Sequence, residues 1–228
     1  MTVSEAAPSV GSRTHCPNCL TGRHGQCGAR THPIAVSVLR DGDWMLIHRC
    51  TGCDHLEALE VAEDDNQLLL IRIAVKPLAQ PPFPLRAPRA ALTRGVIEVS
   101  RRNGRTERPQ RVKPAHRDGP ARRGTSFRCL GCGLDVPMWA PGTAHRNHCP
   151  TCLCSRHVDG DLPGDRASSC GGRMDPISIS VRGGGEWVII HRCSACGAMS
   201  ANRAAGDDNP LALVRIAVRP LSRLDRIR

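Results

Sequence analysis

Thirteen cysteines lie along this 228-residue chain, and ten of them form Cys-x-x-Cys pairs: Cys16/Cys19, Cys50/Cys53, Cys129/Cys132, Cys149/Cys152 and Cys193/Cys196. Two thiolates three residues apart can grip one ion from a single tight turn. A second pair, or a His with another Cys, closes the tetrahedron that zinc prefers. Two stretches concentrate such groups, Arg13-Thr-His-Cys-Pro-Asn-Cys-Leu-Thr-Gly-Arg-His24 with Cys27 behind it, and Arg146-Asn-His-Cys-Pro-Thr-Cys-Leu-Cys-Ser-Arg-His157 with Cys170 behind it.

Ligand counting limits the chemistry. The second half offers Cys129, Cys132, Cys149, Cys152, His157, Cys170, Cys193 and Cys196, enough for two closed tetrahedra. Two pairings compete. One joins Cys129 and Cys132 to Cys193 and Cys196 as a zinc ribbon, leaving Cys149, Cys152, His157 and Cys170 for a second ion. The other joins Cys149 and Cys152 to Cys193 and Cys196 and leaves Cys129, Cys132, His157 and Cys170. The first is preferred, because Gly133 and Gly197 trail their pairs where a knuckle turns at positive φ.

In the first half, Cys16, Cys19, His24 and Cys27 are close enough to close around one zinc, so three ions are expected, one here and two in the second half. Cys50 and Cys53 are then left as free thiols or as partners of His48 and His55, and Cys154, opposite Thr21 of the first stretch, as a spare thiol. His15 and His148 abut ligand cysteines and read as hydrogen-bond donors that orient a thiolate or meet a partner. His191 reads as a packed histidine.

The elements around these ligands repeat. From Cys16 to His24 the second copy lies 133 residues on, and from Cys27 onward 143, so ten residues are missing from the first copy between His24 and Cys27. Pro176-Ile-Ser-Ile-Ser-Val-Arg182 alternates apolar and polar, Gly183-Gly-Gly-Glu186 turns, and Trp187-Val-Ile-Ile190 runs on to Cys193, which predicts a β-hairpin delivering a Cys pair. Pro33 to Leu39, Asp41-Gly-Asp43 and Trp44 to Ile47 repeat it. Asp207-Asp-Asn209-Pro210 then predicts a short capped helix ending before Pro220, with a strand as the competing reading and a helix cap preferred to a polar site for the Asp-Asp-Asn triplet.

Composition explains why metal is needed. Two Phe, three Trp and no Tyr cannot fill a large core, and 18 Pro and 22 Gly interrupt it. The opening Met1-Thr-Val-Ser-Glu-Ala-Ala-Pro8 shows neither a basic nor an apolar region of an export signal, and no apolar run reaches spanning length. A reducing, cytoplasmic setting without membrane is therefore expected, and with it zinc rather than disulfides. Net charge is +11, and residues 80–126 alone carry 12 Arg or Lys against 3 Asp or Glu. The expected fold is small, zinc-stabilised and β-rich (α+β), with two tandem zinc-ribbon-like modules over 13–78 and 127–221. Between them lies a disordered Pro/Arg-rich linker over 79–126, disordered when alone from Arg101 to Gly124, with one stray strand at Gly95-Val-Ile-Glu-Val99.

Phe127-x-Cys-x-x-Cys-Gly133, Arg146-Asn-His-Cys-Pro150, Pro163-Gly-Asp-Arg166, Cys170, Cys193-x-x-Cys-Gly197 and Ala205-Gly-Asp-Asp-Asn209 together resemble the bacterial RNHCP domain family. The resemblance covers 127 to about 218 fully. Residues 13–75 resemble a degenerate copy with Thr14 for Asn, no front Cys pair and no Pro-Gly-Asp-Arg loop. It implies the fold and brings no activity with it.

The expected function is a non-catalytic zinc protein associated with nucleic acid, structured RNA or the ribosome or the transcription and translation machinery, because a basic tether neutralises phosphates. Scarce aromatics disfavour single-strand stacking, and no small-molecule substrate is evident. Three alternatives stand beside it: a zinc-dependent enzyme, for which Asp159, Asp165 and Arg166 are the polar group to watch, a thiol redox or zinc sensor using Cys50, Cys53 and Cys154, and a protein-interaction adaptor.

Overall fold

A computed structural model describes residues 14–39, 41–81, 126–141, 146–160 and 164–226 of the chain. The linker core at 82–125, with its candidate strand, lies outside the described residues, as do Arg13 and Pro163.

Each copy is built on the hairpin that the alternating pattern predicts. In the first, β1 (Gly22–Arg23), β2 (Arg30–Val38), β3 (Trp44–Cys50) and β4 (Leu56–Glu60) form an antiparallel sheet in that order. After it comes helix α1 (Gln67–Ala79). The second copy opens with a small hairpin of its own, β5 (Ser126–Arg128) and β6 (Asp135–Pro137). Its sheet then runs β7 (Ser155–Arg156), β8 (Arg173–Val181), β9 (Trp187–Cys193) and β10 (Met199–Arg203), followed by α2 (Pro210–Val218).

Prolines mark the same irregularity in both hairpins. The register slips between Pro33 and Ala35 and between Pro176 and Ser178, where the missing N–H breaks the ladder. Helix wins over strand after the Asp-Asp-Asn triplets because the cap is made. Asn66 Oδ1 accepts from the Leu69 N–H, and Asn209 Oδ1 from those of Leu211 and Ala212. α2 stops before Pro220 as expected and a 3-10 helix (Arg219–Arg226) follows it, while α1 carries through Pro77 to Ala79.

The two copies are not beads on a tether. One face of each sheet packs on its own helix, Leu20, Val36, Trp44 and Leu46 against Leu70 and Ala74 in the first copy, and Leu153, Ile179, Trp187 and Ile189 against Leu213 and Ile216 in the second. The opposite faces meet each other: Ala35, Ile47 and Leu56 form one buried cluster with Val188 and Ile190. Side chains fasten this seam across a pseudo-twofold. Ser37 Oγ donates to the Ile177 carbonyl, and Ser180 Oγ, its counterpart 143 residues on, to that of Ile34, counterpart of Ile177. A chain poor in aromatics thus gains interior by pairing its two halves over one shared layer.

Candidate metal centres

Strand pairing dictates which ligands meet. In the second copy, β7 lies beside β8 with Arg156 opposite Arg173, which sets His157 next to the turn that precedes β8 and contains Cys170. The His157 N–H donates to Gly172 and the Gly171 N–H to the His157 carbonyl. On the other side, β8 pairs with β9 so that Met174 stands opposite Cys193. His157, Cys170, Cys193 and Cys196 therefore converge, with Cys196 Sγ 3.2 Å from His157 Nδ1 and Cys170 Sγ 3.7 Å from Cys193 Sγ.

The first copy repeats this arrangement, with Thr31 opposite Cys50. His24, Cys27, Cys50 and Cys53 come together, His24 Nδ1 lying 3.1 Å from Cys27 Sγ and 3.3 Å from Cys53 Sγ, and Cys27 Sγ 3.4 Å from Cys50 Sγ. A third group belongs to the second copy alone: Cys129 and Cys132 on the β5–β6 hairpin face Cys149 and Cys152, with Sγ separations of 3.4 Å (Cys129–Cys152) and 3.6 Å (Cys132–Cys149). Val136 and Phe127 pack over this centre from the hairpin.

The donor sets fit zinc. Ligands at the Zn–S distance of about 2.3 Å stand about 3.8 Å apart along a tetrahedron's edge, close to these separations, whereas a disulfide would bring sulfurs to about 2 Å. All four ligand atoms of each group lie within 4.8 Å of one another. Three clusters could thus each hold one ion, one in the first copy and two in the second.

Both pairings weighed from the sequence are corrected. Cys129 and Cys132 join Cys149 and Cys152, and Cys193 and Cys196 join His157 and Cys170. Trailing glycine misled because every knuckle takes the same left-handed step after its second cysteine, whatever residue stands there: Leu20, Asp54 and Leu153 at φ 55°, 59° and 62°, Gly133 and Gly197 at 73° and 77°. In the first copy Cys50 and Cys53 are neither free nor served by His48 and His55. They complete the group begun by His24 and Cys27, and Cys16 and Cys19 stand apart from it. His55 stacks on the His24 ring at 4.8 Å, and His48 bonds Thr31 Oγ1 through Nδ1 at 2.8 Å.

Backbone amides prepare the thiolates. Burial raises the Cys193 thiol, but the N–H groups of Ala195 and Cys196 and the neighbouring thiols of Cys196 and Cys170 outweigh it and hold the group at about 7. Cys129 is likewise at about 7, where burial is outweighed by the amides of Cys132 and Gly131. Burial pushes Cys149 and Cys152 up instead, the metal-free cost of crowding four thiols. Cys154 joins no cluster among the described residues, and burial keeps its thiol protonated beside Asp175.

His15 and His148 do not orient thiolates. His148 Nε2 lies 2.8 Å from Asp208 Oδ2, and His15 Nε2 2.9 Å from Asp65 Oδ2, all four side chains being buried. The Asp-Asp-Asn triplet is thus a cap and a latch together. Asp207 takes the buried Arg146 guanidinium, Asp208 takes His148, and Asn209 caps α2 while its N–H donates to the Pro150 carbonyl. The neighbouring Asn147 instead accepts from Arg166 Nη2 of the following loop at 2.9 Å. Arg146-Asn-His-Cys-Pro150 therefore locks a metal knuckle onto the start of a helix, a role the sequence signalled only by repeating the triplet. His191 is packed as expected, Nε2–H donating to the Leu153 carbonyl at 2.8 Å. Asp159 and Asp165 accept from backbone N–H groups of their own loop, at Arg166, Gly160 and Ala167.

A cleft of about 1340 Å³ opens between the copies, bordered by the His24 and His157 centres and floored by Leu56, Ala58, Met199 and Ala201. Seven arginines line it against three carboxylates, Asp54, Glu57 and Asp159. Arg49 spends its charge on Asp54 at 2.8 Å. Its counterpart Arg192 has Gly197 at the corresponding position and meets no carboxylate among the described residues.

A family model for the RNHCP domain matches residues 1–71 and 124–214, one segment in each copy. Comparison with curated proteins and with solved structures returned no match. No helix among the described residues is long and apolar enough to cross a membrane.

Proposed function

From the premise that the chain belongs to the RNHCP domain family, we propose that it is a non-catalytic zinc protein that binds structured nucleic acid, RNA foremost. Zinc at each of the three clusters would be held by four protein ligands, a closed shell that staples the fold and leaves no coordination position for a substrate.

The observation that carries the reading is the cleft with its excess of arginine. Arg156, Arg182 and Arg192 line it with no carboxylate partner among the described residues. The 12 basic residues of 80–126 extend the same charge along the chain. Guanidinium groups pair with phosphate oxygens in two-point contacts, so a phosphodiester backbone is the partner this surface suits.

The test is binding of zinc-loaded protein to duplex and ribosomal RNA across a salt series, read by fluorescence anisotropy. Affinity should fall linearly with salt on logarithmic axes, and Arg182→Ala with Arg192→Ala should weaken binding and flatten the slope by about two. Absent or salt-insensitive binding would refute the proposal.

A further inference from the structure

Cys16 and Cys19 form a complete metal knuckle that joins no cluster among the described residues. The Cys16 N–H donates to the Thr21 carbonyl and the Leu20 N–H to that of Cys16, at 2.9 and 2.8 Å. The Cys149 knuckle makes the same two bonds, from Cys149 N–H to Cys154 and from Leu153 N–H to Cys149. Leu20 and Leu153 share the left-handed conformation, and the bridges His15 to Gly22 and His148 to Ser155 anchor both loops alike. The tip of the first knuckle is also fastened to α1, since the Asn66 N–H donates to Pro17 and its amide Nδ2 to Asn18. This loop is therefore preorganised, and ordering it costs a ligand nothing further.

In the second copy the equivalent loop meets a facing knuckle, Cys129 and Cys132, which itself carries the same bonds, Cys129 N–H to Leu134 and Gly133 N–H to Cys129. The cluster is thus two interchangeable halves face to face. The first copy has kept one half, with both cysteines exposed. No second cysteine pair is left for it in the sequence: ten cysteines belong to the three clusters, and Cys154 sits beside Cys152 and Asp175.

We propose that Cys16 and Cys19 bind zinc jointly with the same two residues of a second copy of this chain, giving an intermolecular four-cysteine site on a twofold axis. Two identical knuckles about a twofold reproduce the face-to-face geometry of the intramolecular site, and an isologous contact of this kind closes at two chains. Two thiolates alone leave half of zinc's coordination to water, so the second pair supplies the gain that holds the dimer. The inference rests on the reading of the three clusters as zinc sites.

Native mass spectrometry of the full chain, zinc-loaded under a non-thiol reductant, tests it. The expected species is a dimer with seven zinc ions, six from the three clusters of each chain and one shared. Cys16→Ser with Cys19→Ser should give a monomer with three. Cys19→Ser alone, for use if the double variant fails to fold, should weaken the dimer about tenfold or more. A wild-type monomer with three zinc ions, a monomer with four, or a dimer that survives both substitutions overturns the intermolecular site while leaving the three clusters standing. Fewer than six zinc ions per pair of chains overturns the cluster reading itself.

Discussion

Leu78 at the end of α1 packs into the core of the second copy, and Leu221, its counterpart 143 residues on, packs into the core of the first. Each helical tail thus covers its neighbour's sheet rather than its own. With the reciprocal serine bonds and the shared layer around Ile47 and Ile190, this exchange makes the copies mutually dependent for their interiors.

Mutual dependence should appear in unfolding. Leu78→Ala removes a side chain from the second copy's core although it lies in the first. It should destabilise the whole by about 1–3 kcal/mol, at the low end for a partly buried site. Zinc-loaded protein followed by circular dichroism in urea should show one transition for wild type and variant alike, shifted to lower urea in the variant. Two transitions, with only the first moving, would mean that the copies are energetically separate.

Ligand grouping gives a second prediction. Cys53→Ser should lose the first copy's ion and leave the other two clusters loaded, because Cys53 closes the group of His24, Cys27 and Cys50. Cys132→Ser should likewise remove one ion, and Cys149→Ser the same one, so the double variant Cys132→Ser with Cys149→Ser should lose no more zinc than either single. Zinc counted by elemental analysis on folded protein decides it; a double variant short of two ions would restore the sequence-based pairing.

Much of this was legible in the chain. Periodicity and glycine placement gave the two hairpins, and the Asp-Asp-Asn triplet, followed by Pro210 in the second copy, gave the capped helix. The grouping of ligands was also within reach. Extending the hairpin ladder from Val181 opposite Trp187 to Met174 opposite Cys193 brings Cys170 to the Cys193 end, a step that outweighs any local knuckle signal. What the chain could not disclose is tertiary. The facing of β2 on β8 and the exchange of Leu78 for Leu221 rest on apolar residues that look the same whether they cover their own sheet or a neighbour's. His15 and His148 were misread because adjacency to a cysteine says nothing of where the ring points. Their partners, Asp65 and Asp208, lie 50 and 60 residues away.

Removal of metal should dismantle the body. Cys149 and Cys152 are crowded thiols whose neutral forms are favoured without an ion, and the knuckles they belong to tie the sheets to the helices. A strong chelator should abolish the cooperative urea transition and the near-ultraviolet signal of Trp44 and Trp187, with recovery on readdition of zinc. Retention of both signals after complete stripping would show that the apolar layers suffice alone.

The latch predicts a large effect from a small change. Asp208 is buried with His148 at 2.8 Å, the Ala205 N–H at 2.8 Å and the Arg146 guanidinium at 3.7 Å. Asp208→Ala leaves Arg146 to Asp207 alone and His148 without an acceptor, a cost of about 3 kcal/mol for breaking a buried charged network. Asp208→Asn, which keeps the shape and an acceptor oxygen, should cost less. Chemical denaturation of the zinc-loaded variants ranks them, and equal losses would mean that packing rather than charge holds the latch.

The ring of His191 should stay neutral where ordinary histidines titrate. Burial, with the nearby His148 adding to it, lowers its pKa to about 3, and the bonded tautomer carries its proton on Nε2, facing the Leu153 carbonyl, while Nδ1 accepts from Asn202. The unfolded chain takes up a proton near pH 6.5 and the folded chain does not. Stability contributed by this ring is therefore fully present above pH 6.5 and is lost as pH falls below it, at about 1.4 kcal/mol per unit. Nitrogen-15 spectra of zinc-loaded protein between pH 8 and 5 should show fixed His191 shifts of the Nε2–H form. A His191 resonance that titrates near 6.5 would place water or a charge partner beside the ring and remove this source of acid sensitivity.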